Sequence, residues 1–337
     1  GPTHDDITSS VLYDYFGAKP EFDEQYWQLL TKKFAARDQV IPDINRNQAM
    51  KPDIGEVIPN PIGSARGLHL SNKSYHLFAM PGVPAEMKSM MTDTILPWIE
   101  SRSKSKIHVT VMRTTGIMES VLYEKVQGIL DDYPQINVAF LPRFTGVDIR
   151  LTTSDKNALN QLVDQISPVI QKYHFGGEGV ELEDVVGRLL IKNRKTIATA
   201  ESCTGGLIGD RLTNISGSSL YYKGGIVAYS NSVKEKTIGV KKETLDSAGS
   251  VSEDTALEMA RRIRNKLNAD IGLSTTGIAG PKGGTKEKPV GLVYIAISYD
   301  RGEKVYRFTF TPYRKTNKLM TSQAALNITR IHILNGL

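Results

Sequence analysis

The chain has 337 residues, 40% hydrophobic and 23% charged, a balance that fits a folded globular protein of two or three domains. Its single cysteine excludes an internal disulfide and a multi-cysteine zinc site, and no apolar run approaches the ~20 residues of a membrane span, so a cytoplasmic protein without a membrane partner is expected. The net charge of +6 is uneven: residues 177–337 hold 24 Lys and Arg against 16 Asp and Glu, and the rest hold 18 against 20, which favours an anionic partner in the C-terminal half.

The chain opens Gly1-Pro2-Thr3-His4-Asp5-Asp6, with no initiator Met and no signal peptide. It reads as the inside of a motif, so a preceding segment is expected. Helical patterning runs through Tyr26, Trp27, Leu30 and Phe34, followed by a Pro- and Asn-rich passage from Pro42 to Pro61. A strand-like Tyr75–Met80 then meets the turn Pro81-Gly82-Val83-Pro84, which opens a helix at Glu86. Asp5, Asp6 and Glu86 are a candidate carboxylate set for a divalent metal; equally, they are helix caps and first-turn acids.

Residues 101–176 pattern as a small α+β unit. Lys106–Arg113 alternates as a strand, Glu119–Leu130 is helical, Ile136–Phe140 and Val147–Thr152 form a strand pair, and a helix covers Ala158–Ile170. Gly176-Gly177-Glu178-Gly179 has the outline of a backbone-gripping GxxG loop. Its glutamate would repel a phosphate backbone, so the stretch reads as a linker, and nucleic acid is not an expected partner.

From about 180 the pattern is α/β. An apolar run from Thr196 to Ala200 feeds Glu201-Ser202-Cys203-Thr204-Gly205-Gly206, after which Leu207, Ile208 and Leu212 recur at helical spacing. A buried strand, a tight turn and a helix N-terminus are predicted. Their free amides and positive dipole end suit an oxyanion or phosphate. A second strand, Gly225–Tyr229, breaks at Ser230-Asn231 ahead of Lys234. Ser252 is placed to cap a helix, and a third strand, Ile271–Thr275, ends in Thr276-Gly277-Ile278-Ala279-Gly280. A hairpin (Val290–Tyr299, Lys304–Thr311) and a helix from Thr316 to about Leu334 close the chain.

Three of these strands end in small polar residues and glycine. Carboxyl ends of strands line the ligand crevice of α/β sheets, so Ser202, Tyr229 and Thr276 are expected around one site. Ser202 is the candidate nucleophile; the plainer reading makes Ser202 or Thr204 a helix cap. The half holds only His332, at the end of the last helix, which argues against a Ser-His-acid triad. A Ser-Lys pair remains, with Lys234 held neutral as the base, or with Tyr229 in that role. Cys203 is a rival nucleophile without a histidine partner, and a lone buried cysteine is usually packing.

These motifs, Ala200–Gly206, Tyr229-Ser230-Asn231 with Lys234, and Thr276–Pro281 with Lys288–Gly291, resemble the C-terminal domain of the competence/damage-inducible CinA family. Gly1–Thr8 and Pro81–Met87 are similar to that family's molybdopterin-binding-like (MoaB/MogA-like) N-terminal domain, and Thr115–Ser120 to its KH-like middle domain. The resemblance implies a multidomain α/β protein: a truncated MoaB/MogA-like domain over 1–100, a KH-like α+β domain over 101–176 and an α/β amidohydrolase domain over 177–337. It implies deamidation of nicotinamide mononucleotide to nicotinate mononucleotide, a step of NAD salvage needing no cofactor. Ser202 would be the nucleophile, Tyr229 and Lys234 its activating pair, and Thr204, Gly205, Asn231, Thr276, Gly277, Gly280 and Arg314 the substrate contacts. A homo-oligomer, a dimer, is expected. Some family members hydrolyse ADP-ribose with a divalent metal in the N-terminal domain. That domain ordinarily carries a further segment ahead of Gly-Pro-Thr, with a lysine where Asn47 stands and a proline where Arg66 stands. Lys318 replaces an arginine in the last helix. The alternatives are therefore a pyrophosphatase in the N-terminal domain and a competence-linked adaptor that binds DNA or a recombinase and catalyses nothing.

Overall fold

The computed structural model describes residues 7–103 and 106–336. Two compact units divide the chain, Gly1–Lys106 and Ile107–Leu337. Among the described residues no helix is long and apolar enough to cross a membrane.

The first unit opens with α1 (Thr8–Phe16), which stops at Gly17 in the left-handed conformation. β1 (Pro20–Phe22) leads to α2 (Glu24–Ala35), whose cap Asp23 accepts the Tyr26 amide at 3.0 Å and the Arg66 guanidinium at 2.6 Å. β2 (Met50–Pro52) pairs with β1, and β3 (Glu56–Ile58), β4 (Gly67–Ser71) and β5 (His76–Ala79) form an antiparallel sheet. α3 (Pro84–Met90) starts on a proline, whose missing N–H costs nothing in a first turn, and α4 (Leu96–Glu100) follows a π-helical turn. Leu68 and Leu70 pack under Tyr13, and Ile58 under Met90 and Ile95.

The second unit begins with a four-stranded antiparallel sheet, order β7-β8-β6-β9. Its elements are β6 (His108–Thr114), α5 (Glu119–Leu130), β7 (Asn137–Arg143), β8 (Gly146–Thr153), α6 (Lys156–Ile170) and β9 (His174–Gly176). Leu122 and Val126 of α5 and Leu159, Leu162 and Ile166 of α6 cover Ile149 and Leu151 of β8. Full burial of such side chains stabilises by about 1.5–3 kcal/mol each. The glycine stretch expected to be all linker starts as an edge strand: Gly176 pairs with Arg113 of β6.

A five-stranded sheet follows, order β11-β10-β12-β13-β14. α7 (Leu182–Lys192) carries a capping box from Glu181 and Asp184 and leads to β10 (Ile197–Glu201), buried along its whole length. β10 runs parallel to β11 (Tyr222–Val227) and β12 (Ile271–Gly277), whereas β13 (Leu292–Tyr299) and β14 (Gly302–Thr309) are antiparallel. Both faces are covered, which is why β10 reads as a continuous apolar run rather than an alternating one. On one face Ile197, Ile271 and Leu273 meet α7, α8 (Leu207–Thr213) and α12 (Arg314–Leu334). On the other, Ala198 and Ala200 meet Met259 and Ile263 of α11 (Glu253–Lys266), with Leu245 of α10 (Lys242–Ser247) beside them. Gly272 permits the closest approach of α11, since a Cβ there would lie 2.0 Å from the Ala260 carbonyl oxygen. Ser252 caps α11 through the Thr255 amide.

The two sheets of this unit are tied by polar side chains. Arg113 of β6 meets Asp148 at 3.4 Å and Glu181 at 2.9 Å. Gln323 of α12 donates to Thr115 Oγ1, and Arg330 donates to the carbonyls of His174 and Lys172 at 3.0 and 2.6 Å.

Candidate active site

The strand-turn-helix junction after β10 is locked from both sides. The Ser202 amide donates to the Thr275 carbonyl of β12 at 2.9 Å, and the Ala228 amide, just beyond β11, donates to the Glu201 carbonyl at 2.7 Å. The turn is tight because Gly205 and Gly206 adopt φ of +62° and +93°, which side-chain-bearing residues rarely reach. The N-terminus of α8 is not vacant, contrary to the expectation of free amides there. The carboxylate of Glu201, 2% exposed, accepts the amides of Gly206 at 3.0 Å, Ile208 at 3.0 Å and Gly209 at 2.8 Å. The protein's own anion satisfies the donors and the dipole of this helix. Neither Ser202 nor Thr204 caps it. Thr204 is fully buried, its hydroxyl is paired with that of Thr275 at 2.7 Å, and it does not line the cavity around Ser202.

Relieved of a capping role, Ser202 faces a lysine. α9 (Asn231–Val233), capped by Ser230, runs into a π-helical turn from Lys234 to Ile238 that turns the Lys234 side chain inward. Lys234 is 2% exposed; its Nζ lies 2.9 Å from Ser202 Oγ and donates to the Ala228 carbonyl at 2.8 Å. Burial away from water disfavours the ammonium and pulls the Lys234 pKa below the ordinary lysine range. Cys203 goes the other way: burial pushes its thiol up to about 12, leaving it protonated and inert at neutral pH. His332 is bonded to the Tyr306 hydroxyl at 2.9 Å and takes no part in the site.

Ser202 and Lys234 lie in a cavity of about 300 Å³ that also touches Tyr229, Thr276, Gly277, Gly280 and Arg314. Several predicted residues behave differently from expectation. Tyr229 is 63% exposed, and its hydroxyl accepts from Arg314 rather than bonding to Ser202. Thr276 lines the cavity but is fully buried, with its hydroxyl donating to the Ser250 carbonyl at 2.6 Å. Asn231 and Gly205 do not line it; Asn231 is exposed, and the turn at Gly205 sits beside Lys318, whose Nζ would lie 3.2 Å from a Cβ there. Arg314, at the first turn of α12, also donates to the Gly280 carbonyl at 3.1 Å, tying the loop after β12 to the cavity rim.

Sequence reasoning missed Ser250, Val251 and Lys282, which also line the cavity. The signal for the first two was local: a glycine, Gly249, three residues before the Ser252 cap marks a turn at the head of α11, and there Gly249 is left-handed and its carbonyl accepts the Ser252 hydroxyl. Lys282 stands in a glycine-rich loop whose course no periodicity reveals.

In the first unit, Asp5 and Asp6 lie outside the described residues. Glu86 is held by Asn60 Nδ2 at 2.7 Å, and among the described residues no cluster of three or more His, Cys, Asp or Glu side chains converges for a metal ion. The described part thus offers one engaged carboxylate toward the divalent metal expected there.

Residues 180–333 match the CinA C-terminal domain, 109–176 the KH domain of damage-inducible protein CinA, and 1–101 a probable molybdopterin binding domain. A CinA-like protein of Chloroherpeton thalassium is 42% identical over 351 residues, covering 100% of this chain and 83% of its own. A CinA-like protein of Cytophaga hutchinsonii is 38% identical over 343 residues, covering 98% and 81%. The solved structure of the competence/damage inducible protein CihA from Agrobacterium tumefaciens is 37% identical, with a TM-score of 0.43, covering 46% of this chain and 97% of that one. With matches to all three portions in the same order and near full-length identity of this degree, the chain belongs to the CinA family.

Proposed function

We propose that the cavity around Ser202 hydrolyses the carboxamide of nicotinamide mononucleotide to nicotinate mononucleotide and ammonia. The observation that carries this reading is the contact between Ser202 Oγ and the buried, pKa-depressed Nζ of Lys234. A neutral Lys234 takes the Ser202 proton as the oxygen attacks the carboxamide carbon. The resulting ammonium returns that proton to the departing nitrogen, and ammonia leaves an acyl ester on Ser202. Water then attacks the ester with Lys234 again as base, releasing the carboxylate and the free serine. The Ala228 carbonyl aims the amine throughout, since one N–H is spent on it. Glu201 takes the amides of Gly206, Ile208 and Gly209, so charge on the tetrahedral oxygen falls to the amide of Cys203, the turn residue that lines the cavity beside Ser202. Arg314 and Lys282 at the cavity rim suit the phosphate of the nucleotide. No cofactor enters these steps.

The test is ammonia release from nicotinamide mononucleotide by the full chain and by Ser202→Ala. The wild-type protein is expected to turn over, and the variant to fold normally and lose activity by at least about 10³-fold. Near-normal turnover in the variant, or no turnover in the wild type, overturns the reading.

A further inference from the structure

A second side-chain cluster, independent of the Ser202 site, lies on one face of the β3-β4-β5 sheet. Glu56 stands directly opposite His69 in the β3–β4 register, and His69 opposite Phe78 in β4–β5. His76 sits two residues before Phe78 and so shares its face, diagonal to His69, a separation that long side chains bridge. The rings meet: His69 Nε2 and His76 Nδ1 are 3.1 Å apart, and His69 Nδ1 is 3.3 Å from Glu56 Oε2. His69 is stacked on Phe78 with centroids 4.4 Å apart, and Trp98 of α4 packs edge-on against both imidazoles, at 5.0 and 4.5 Å. His69 is nearly buried and His76 exposed.

We propose that His69 and His76 chelate one first-row transition-metal ion of the imidazole-preferring kind, Zn²⁺ or Ni²⁺, with water in the remaining positions. The carboxylate of Glu56 accepts the Nδ1–H of His69, which fixes the tautomer and leaves the lone pair of Nε2 on the side of His76. Two imidazole nitrogens each about 2.0–2.1 Å from a common ion and 3.1 Å apart subtend roughly 98° at it, between octahedral and tetrahedral geometry. The ion takes the place of the single proton that the two nitrogens otherwise share; a tautomer shift carries that proton to the other ring nitrogen of His76, Nε2. The ring stack on Phe78 and Trp98 holds both imidazoles in this orientation before metal arrives, and the exposure of His76 gives water access to the open positions. Two protein donors are fewer than a closed structural zinc site uses, so the ion is exchangeable and accessible to a further ligand.

The experiment titrates the full chain with NiCl₂ and follows tryptophan fluorescence, because Trp98 touches both rings. One equivalent is expected to quench a saturable fraction of the emission, and ZnCl₂ to restore it by displacement. Trp98→Phe should abolish that phase while equilibrium dialysis still finds the bound ion, whereas Trp27→Phe should leave it intact. His76→Ala, and His76→Phe, which keeps a ring against Trp98, should each weaken binding at least about 10-fold. Glu56→Gln should weaken it about 10-fold while leaving both donors in place. If either His76 variant titrates at the wild-type midpoint, the contact is a histidine–histidine hydrogen bond only and the proposal fails. Loss of signal in Trp27→Phe instead of Trp98→Phe fails it equally.

Discussion

Glu201 makes a quantitative claim about how the nucleophile turn is held. Glu201→Gln changes no volume but replaces one carboxylate oxygen by an NH₂ group. Turned so that its carbonyl oxygen keeps the amides of Gly206 and Ile208, each at 3.0 Å, the glutamine sets its NH₂ against the Gly209 amide, which the carboxylate accepts at 2.8 Å. The bond lost is charge-assisted, worth about 1.5–3 kcal/mol, the amide left without an acceptor costs about 1–3 kcal/mol, and the two bonds kept lose their charge assistance. Relaxation of the turn recovers part of this, so a loss of about 3 kcal/mol or more is expected. For a unit of this size, with a midpoint shift of about 2–4 °C per kcal/mol, that is a fall of roughly 6–12 °C. Calorimetry on the full chain reads it in the transition belonging to residues 107–337. Glu201→Asp, one methylene shorter, should fall between the two. If Glu201→Gln unfolds within about 0.5 kcal/mol of wild type, the carboxylate is not the cap that organises this turn, and the assignment of its three amides is wrong.

Further outcomes concern Lys234, Tyr229 and Cys203. Lys234 must be neutral to act, and its pKa lies below the ordinary lysine value of about 10.4, so turnover should rise with pH and level off below that value; Lys234→Arg should be nearly inactive at every pH. The same shift gives a stability signature: between the native and unfolded pKa the unfolded chain binds more protons, so stability climbs with pH across that window, and the Lys234→Met variant should lack this slope. Tyr229→Phe should raise KM several-fold and leave the catalytic step almost untouched, because its hydroxyl serves Arg314; a roughly 100-fold slower catalytic step at constant KM would make Tyr229 the base instead. Native Cys203 should resist iodoacetamide at pH 8, and Cys203→Ala should keep its turnover; rapid alkylation with loss of activity would contradict the buried, protonated thiol.

How much of this is legible in the sequence depends on whether the information is local. The Ser202 turn is legible, because an apolar run broken by two glycines has few other solutions, and so is the Ser252 cap. The pairing of Ser202 with Lys234 follows in sequence only from the lack of a suitable histidine, and the structure brings the two into contact. Glu201 reads as one more acid beside a serine, although its position ahead of a helix whose first turn lacks a Ser, Thr, Asp or Asn cap is the available clue. The neighbour of Tyr229 is not legible, because its hydroxyl is set by Arg314, 85 residues away. Gly176 reads as linker because its pairing partner, Arg113, lies some sixty residues upstream in β6, beyond any window of periodicity.

The last helix has a mechanical consequence. α12 runs from Arg314 to Leu334, 21 residues and roughly 30 Å at 1.5 Å per residue. Its first turn grips the rim of the cavity through Gly280, its middle holds Thr115, and near its end Arg330, only 3% exposed, clasps the carbonyls of Lys172 and His174. The guanidinium finds its partners on the segment around β9, so separating the two sheets breaks two charge-assisted hydrogen bonds, each worth about 1.5–3 kcal/mol. Residues 107–176 and 177–337 should therefore melt in a single cooperative transition, with amides of β9 and of the C-terminal turns of α12 exchanging with deuterium at one common rate.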